Sequence, residues 1–129
     1  MVPALRTLYI AKVTRIIDGD TLKVDLELGF NITLVDQSVR VYGIQAPELN
    51  TRNKIEKAYA RSARGYLQEL LPIGKRIYLK IPQLRKDKYG RILAKVYHQA
   101  GSSLVDVAGQ MISTNYATPY EPNNKAFNL

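Results

Sequence analysis

The sequence predicts a small α+β domain: a closed barrel of five β-strands, with one long helix between the third and fourth strands and a short helix near the C-terminus. Three observations point to it. Apolar and polar residues alternate with a period of two through the front of the chain, the period lengthens to three and four between Ile55 and Leu71, and alternation returns after Gly74. At 129 residues the chain is one domain by size, 1–129, long enough to bury a single core without staples. Its ends, 1–6 and 125–129, are expected to be flexible.

Each element has a local reason. Residues 7–17 are rich in β-formers (Tyr9, Ile10, Val13, Thr14, Ile16, Ile17), and Gly19 marks the turn into a second strand. There Leu22, Val24, Leu26 and Leu28 alternate with Lys23, Asp25 and Glu27. Gly29-Phe30-Asn31 connects to a third strand over 32–44. Ile55, Tyr59, Ala63, Tyr66, Leu67, Leu70 and Leu71 then form the apolar stripe of an amphipathic helix. Asn53 and Glu56 start it in the manner of a capping box, and Pro72 and Gly74 stop it. Ile77, Leu79 and Ile81 share one face of a fourth strand, residues 92–98 form a fifth, and Ser103 or Asp106 caps a short helix to about Ile112. The tail carries Pro119, Pro122, Asn123 and Asn124 and is expected to be extended. Five strands with a helix between the third and fourth is the element order of an OB-fold barrel, a shape that often binds oligonucleotides. Fold alone does not fix function.

Composition removes several chemistries. The chain has no cysteine, which excludes disulfides, thiolate zinc sites and cysteine nucleophiles. Its single histidine, His98, excludes a histidine-rich metal site and two-histidine phosphodiester chemistry. No secretory signal and no apolar run near the length of a membrane span are visible, so a cytoplasmic protein without membrane contact, monomeric by default, is expected. The formal charge of +8 and pI of about 9.8 favour a polyanionic partner, because each cation placed near a phosphate releases counterions. A general solubility bias or an anionic membrane surface would also account for the charge.

Three short cassettes carry the chemistry. Asp18-Gly19-Asp20-Thr21 places two carboxylates about a tight turn, where they can face a hard, oxygen-seeking cation; most Asp-Gly turns are simply hairpins. Arg40 lies in the third strand, and Pro47-Glu48 follows its end, so that Glu48 could orient or deprotonate a water from the rim; the plainer reading is solvated surface charge. Asp87-Lys88-Tyr89-Gly90-Arg91 links the fourth and fifth strands. Arg91 could fork onto a phosphate and Tyr89 could stack on a base, unless the segment is only a basic hairpin tip. Two basic stretches, Arg52-Lys54-Lys57-Arg61-Arg64 and Arg85-Lys86-Lys88, could track a nucleic-acid backbone or be solvated faces. Tyr59 and Tyr66 fit the helix core better than a stacking role, and His98 is expected at a strand end without chemical function.

In their joint order and spacing, Asp18-Gly19-Asp20-Thr21, Arg40-Val41-Tyr42-Gly43-Ile44-Gln45-Ala46-Pro47-Glu48, Asp87-Lys88-Tyr89-Gly90-Arg91 and the closing Tyr120-Glu121-Pro122-Asn123-Asn124 resemble the staphylococcal nuclease (thermonuclease) family. The likeness runs over roughly residues 12–124. It implies an OB-fold domain that hydrolyses DNA and RNA with one calcium ion, another divalent metal being possible. By matching position, Asp20 would be a direct calcium ligand, joined by Gln45 and the backbone carbonyl of Ala46, with Asp18 and Thr21 behind them. Arg40 and Arg91 would hold the scissile phosphate, Glu48 would position or activate the attacking water, and Lys88, Tyr89 and Tyr120 would line the nucleotide pocket.

The family pattern reads Ile-Asp-x-Pro-Glu where this chain has Ile44-Gln45-Ala46-Pro47-Glu48. Gln45 still offers a carbonyl oxygen, but it is neutral and one methylene longer than the expected Asp, so weaker metal binding follows. Thr118 stands where a second pocket tyrosine is typical, and the sequence stops before the family's last helix. A metal-dependent nuclease is the leading expectation. A catalytically silent OB module that binds nucleic acid or a protein, and a purely structural adaptor, are the alternatives.

Overall fold

A computed structural model describes residues 8–120. The strands β1 (Leu8–Asp18), β2 (Thr21–Gly29) and β3 (Ile32–Val41) form an antiparallel meander. β5 (Arg76–Lys80) pairs with the outer side of β1, and β6 (Arg91–Ala100) pairs with β5. The sheet closes where Ser38–Val41 of β3 run parallel to Arg91–Ala94 of β6. The five strands therefore form a closed mixed barrel, as the sequence predicts. Leu22, Val24, Leu26, Val39, Val41, Ile77, Leu79 and Val96 fill it and are nearly or wholly inaccessible. Each such side chain contributes about 1.5–3 kcal/mol by leaving water.

The long helix α1 (Lys54–Leu70) follows β4 (Gly43–Gln45) and packs on β1 through Ala60, Ala63 and Leu67. Asn53 caps it: its side-chain oxygen accepts hydrogen bonds from the amides of Ile55 and Glu56 at 2.9 and 3.1 Å. Glu56 does not complete a capping box; its carboxylate accepts from the hydroxyl of Thr51 at 2.7 Å. Short side chains at Ala60 and Ala63 let the helix approach the β1–β2 turn. A Cβ built on Gly19 would lie 2.7 Å from Cβ of Ala63 and 2.9 Å from Cβ of Ala46, so only glycine fits there.

Several expectations are corrected. The third strand does not run unbroken to residue 44. The chain turns at Gly43, whose φ of +95° disfavours any side chain, and Gly43–Gln45 leaves the barrel as β4. Its partner is β8 (Thr118–Tyr120), so this part of the extended tail is strand; the remainder of the tail and both chain ends lie outside the described residues. Ser103 caps no helix: Ser103–Asp106 is a further strand, β7, on the edge of β6, and Asp106 alone caps α2 (Val107–Ser113). Ile55 and Tyr59, expected in the core stripe, are 72% and 62% exposed, because the first turns of α1 overhang the barrel rim instead of lying on it. His98 is buried within β6, its ring nitrogens facing Lys75 Nζ and Gln110 Oε1. Among the described residues no helix is long and apolar enough to cross a membrane.

Candidate active site

Strand register brings the cassettes together. Thr21, the first residue of β2, stands opposite Arg40 of β3, which sets Asp20 beside Arg40. The parallel β3–β6 pairing then begins with Ser38 opposite Arg91, so both arginines reach the same rim. A cleft of about 970 Å³ opens there, lined among others by Asp20, Arg40, Gln45, Glu48, Arg91 and Tyr120.

Asp20 is the anchor of this cleft and is only 7% exposed. One carboxylate oxygen accepts from the Ala46 amide at 2.8 Å and lies 3.5 Å from an Arg40 guanidinium nitrogen; the other accepts from the Thr21 hydroxyl at 2.9 Å. A buried carboxylate needs such partners, because an unpaired charge costs on the order of several kcal/mol to desolvate. Arg40 is fixed in turn by donating to the Val41 carbonyl at 2.8 Å. The Ala46 amide bond ties β4 to the β1–β2 turn across the sequence. Asp18 makes a second tie, accepting from the Leu49 amide at 3.3 Å, so the loop carrying Glu48 is pinned at both sides. Glu48 itself is exposed and lines the cleft, as does Gln45.

The Asp87–Arg91 turn is built around one carboxylate. Asp87 Oδ1 accepts from the amides of Tyr89 and Arg91, both at 2.9 Å, and Oδ2 faces Arg91 Nε at 3.0 Å. Gly90 supplies the positive φ, +76°, that closes the turn. Partial burial pushes the Asp87 carboxyl up, but the Arg91 and Tyr89 amides and the Arg91 guanidinium outweigh it and hold the group below its ordinary value. Arg91 is thus pre-oriented through Nε while it lines the cleft. Tyr89 is 69% exposed and stands between two cations, 5.2 Å from Lys88 Nζ and 5.1 Å from the Arg91 guanidinium carbon, measured to the ring centre. Lys88 and Tyr89 stay at the hairpin tip beside the cleft instead of in its wall, whereas Tyr120 is carried into the wall by the β4–β8 pairing.

Two tyrosines are among the cleft residues that escaped the sequence reading. Tyr59, at helical spacing with core positions, lines the cleft from the foot of α1, and Tyr116 lines it while stacking on Tyr66 at a ring separation of 4.7 Å. Periodicity could not reveal Tyr59, because it reports the face of a helix and not whether that face reaches beyond the barrel; Tyr116 lies between α2 and β8, outside any periodic element.

The side-chain oxygen donors in the cleft include the carboxylates of Asp18, Asp20, Glu48, Glu56 and Asp87, the Gln45 amide and the Thr21 hydroxyl. Their chemistry suits a hard divalent cation. Among the described residues, however, no three acidic or histidine side chains converge as a ready-made cluster. Among the described residues Asp20 is the sole buried carboxylate, and Gln45 adds no charge. The donor set therefore fits a metal in type, with one buried carboxylate at its centre.

The model of the staphylococcal nuclease homologue family matches residues 38–128. The chain is 32% identical over 113 residues to the thermonuclease of Staphylococcus intermedius, covering 88% of this chain and 62% of that one. It is 36% identical over 112 residues to Endonuclease YncB of Bacillus subtilis, covering 86% and 49%, and 28% identical over 123 residues to Endonuclease YhcR of the same organism, covering 92% and 9%. The chain thus spans less than two thirds of the length of each of these relatives. With the matched region reaching from the end of β3 past β8, and so across most of the site, the chain belongs to the staphylococcal nuclease homologue family.

Proposed function

We propose that this chain is a metal-dependent nuclease that hydrolyses phosphodiester bonds of DNA, RNA or both. The observation that carries the reading is the convergence of Asp20, Arg40, Glu48 and Arg91 on one cleft from cassettes far apart in sequence. Relatives named endonuclease and thermonuclease support it.

In this reading the scissile phosphate sits between Arg40 and Arg91. Their guanidiniums donate to its nonbridging oxygens and neutralise the charge that grows as phosphorus becomes five-coordinate. Glu48, exposed at the rim, accepts the proton of the attacking water; the water oxygen bonds to phosphorus, and one ester P–O bond breaks with its electron pair staying on the departing ester oxygen, which takes a proton from solvent. Asp87 keeps Arg91 aimed through Nε, and the Thr21 hydroxyl and Ala46 amide keep Asp20 aimed. Lys88, Tyr89 and Tyr120 hold the nucleotide beside the cut. A divalent ion, calcium or another, would be held by Asp20 with the oxygens of Gln45 and Ala46 and would add Lewis-acid charge at the phosphate. Because Gln45 is neutral, that ion is bound more weakly than a second aspartate would allow.

Cleavage of single-stranded DNA by wild type, Gln45→Asp and Glu48→Gln in calcium, magnesium, manganese and EDTA tests the reading. Chelator-sensitive cutting that falls about 10²-fold or more in Glu48→Gln is expected, with a gain in calcium for Gln45→Asp. Cutting indifferent to EDTA and to Glu48→Gln would refute the assigned site. A second reading, a silent module that binds nucleic acid, draws on the absence of a ready-made acidic cluster among the described residues. Silence of wild type and Gln45→Asp in every metal, with strand binding intact, would establish it.

A further inference from the structure

The β2–β3 hairpin runs out past the barrel with apolar side chains uncovered. Leu26 is buried, but Leu34, which stands opposite it in the ladder, is 42% exposed. Ile32, two residues away and so on the same face, is 54% exposed, and Val35 is 64% exposed. β6 pairs with β3 only over Ser38–Val41. Among the described residues, the stretch 32–37 therefore has β2 on one side and no strand on the other.

The backbone defines what can cover this edge. Phe30 and Asn31, at φ of +54° and +60°, form a two-residue turn between the paired Gly29 and Ile32. Such a turn directs the Ile32 amide toward Gly29, so alternation directs the amide and carbonyl of Thr33 to the open side. Further along, the Gln37 side chain donates to the Val35 carbonyl at 2.8 Å, and Asp36 departs from strand geometry at a φ of +55°. The open stretch is thus short and centred on Thr33. A lipid or an apolar small molecule would leave that amide and carbonyl unpaired, whereas an extended polypeptide satisfies them. Charge narrows the choice. Between Lys23 and Arg40 the chain has Asp25, Glu27 and Asp36 and no base, which repels phosphates and anionic membranes. Each acid already has a partner: Asp36 faces Lys23 at 3.2 Å, Glu27 faces Arg76 at 2.8 Å, and Asp25 accepts from the Asp36 amide at 2.9 Å. The edge therefore suits a neutral, apolar, β-forming strand, and Ile32-Thr33-Leu34-Val35 is itself one.

We propose that two copies of this chain pair β3 to β3, antiparallel, about a two-fold axis at Thr33. Thr33 of each copy exchanges amide and carbonyl bonds with Thr33 of the other, and Ile32 of each stands opposite Leu34 of the other on the shared apolar face. The contact is isologous, so it closes as a dimer instead of growing into a fibre. Both clefts stay open, because Thr21 and Arg40 end the β2–β3 ladder roughly 25 Å from Gly29 and Ile32. The dimer is thus independent of what the clefts act on. An interface this small is of the weak class, so a dissociation constant on the order of 10–100 µM is expected, and dilute protein is monomeric.

The chain has no cysteine, so a single introduced cysteine reports the register without interference. Thr33→Cys and Val35→Cys, both at exposed positions, are oxidised mildly at about 100 µM, the upper end of that range, and run on non-reducing gels. The two Thr33 Cα atoms of such a pair lie about 5.5 Å apart, within disulfide reach, and the two Val35 Cα atoms roughly 13 Å apart, beyond it. Thr33→Cys should therefore give a covalent dimer and Val35→Cys only the background of random collision. Sedimentation equilibrium of wild type should show the mass rising from one chain toward two across the same range. High salt should strengthen the association, since it screens the repulsion between two chains of charge +8. Thr33→Pro removes the outward amide without touching the β2 ladder, and Ile32→Lys puts a charge on the shared apolar face. Each should weaken association about tenfold or more while the circular dichroism spectrum is kept. Leu104→Lys, at a 51% exposed position of the edge strand β7, should associate as wild type does. Wild type that stays monomeric at several times the upper concentration, or equal cross-linking of the two cysteine variants, would overturn the proposal. So would association that weakens with salt, or that is lost in Leu104→Lys and kept in Ile32→Lys.

Discussion

Gly19 is the point at which packing and chemistry meet, and Gly19→Ala isolates it. The added methyl would stand 2.7 Å from Cβ of Ala63 and 2.9 Å from Cβ of Ala46. Methyl groups in van der Waals contact sit at about 3.5–4.0 Å, so roughly 1 Å of overlap must be relieved on each side. Neither neighbour can rotate away, since an alanine Cβ moves only with its backbone. Overpacking of this kind costs about 1–3 kcal/mol. At about 4 °C per kcal/mol for a domain of this size, the melting temperature followed by circular dichroism should fall by roughly 4–12 °C. A double-mutant cycle with Ala63→Gly identifies the cause. Ala63→Gly alone costs about 1 kcal/mol in helix propensity plus about 0.8 kcal/mol for the lost buried methyl, but it removes the closer contact. Gly19→Ala should therefore be cheaper in that background by at least about 0.5 kcal/mol. The relief also displaces Ala46, whose amide holds Asp20, so cleavage should suffer beyond what lost stability explains. A Gly19→Ala protein that melts with wild type, or an equal cost in both backgrounds, would refute the packing account.

Three other outcomes are expected. Asn53→Ala leaves the amides of Ile55 and Glu56 without their acceptor and should cost about 1 kcal/mol in denaturant unfolding; no change would mean that Thr51 and water cap the helix equally well. Phe30 is 98% exposed at a φ of +54° in the β2–β3 turn, where Asn31 also has positive φ, so Phe30→Asn should stabilise by up to about 1 kcal/mol; destabilisation would show that the ring has a partner. The Asp87 carboxyl is held below its ordinary value, so its contribution to stability is complete above the unfolded pKa of about 3.9 and is lost as pH falls through the folded value. Asp87→Asn should therefore flatten the acid limb of the stability–pH curve below about pH 4, and an equally steep limb in both proteins would exclude that role.

What the sequence by itself determined was local. The alternation of Leu22, Val24 and Leu26, the cap at Asn53 and the turn glycines at 29 and 90 act over a few residues, where propensity, capping and backbone sterics suffice to specify structure. The residue types of the candidate site were legible for the same reason: Asp20, Arg40, Glu48 and Arg91 occur in short cassettes whose chemistry can be named one at a time. Tertiary structure decided which of these residues meet. The β2–β3 register puts Thr21 opposite Arg40, and the parallel β3–β6 closure brings in Arg91. Sequence did not show that Gly43 would turn β4 out to pair with Thr118–Tyr120, or that α1 would overhang the rim and expose Tyr59. Pairings between distant segments depend on loop closure and the packing of a shared core, which no window of neighbouring residues contains.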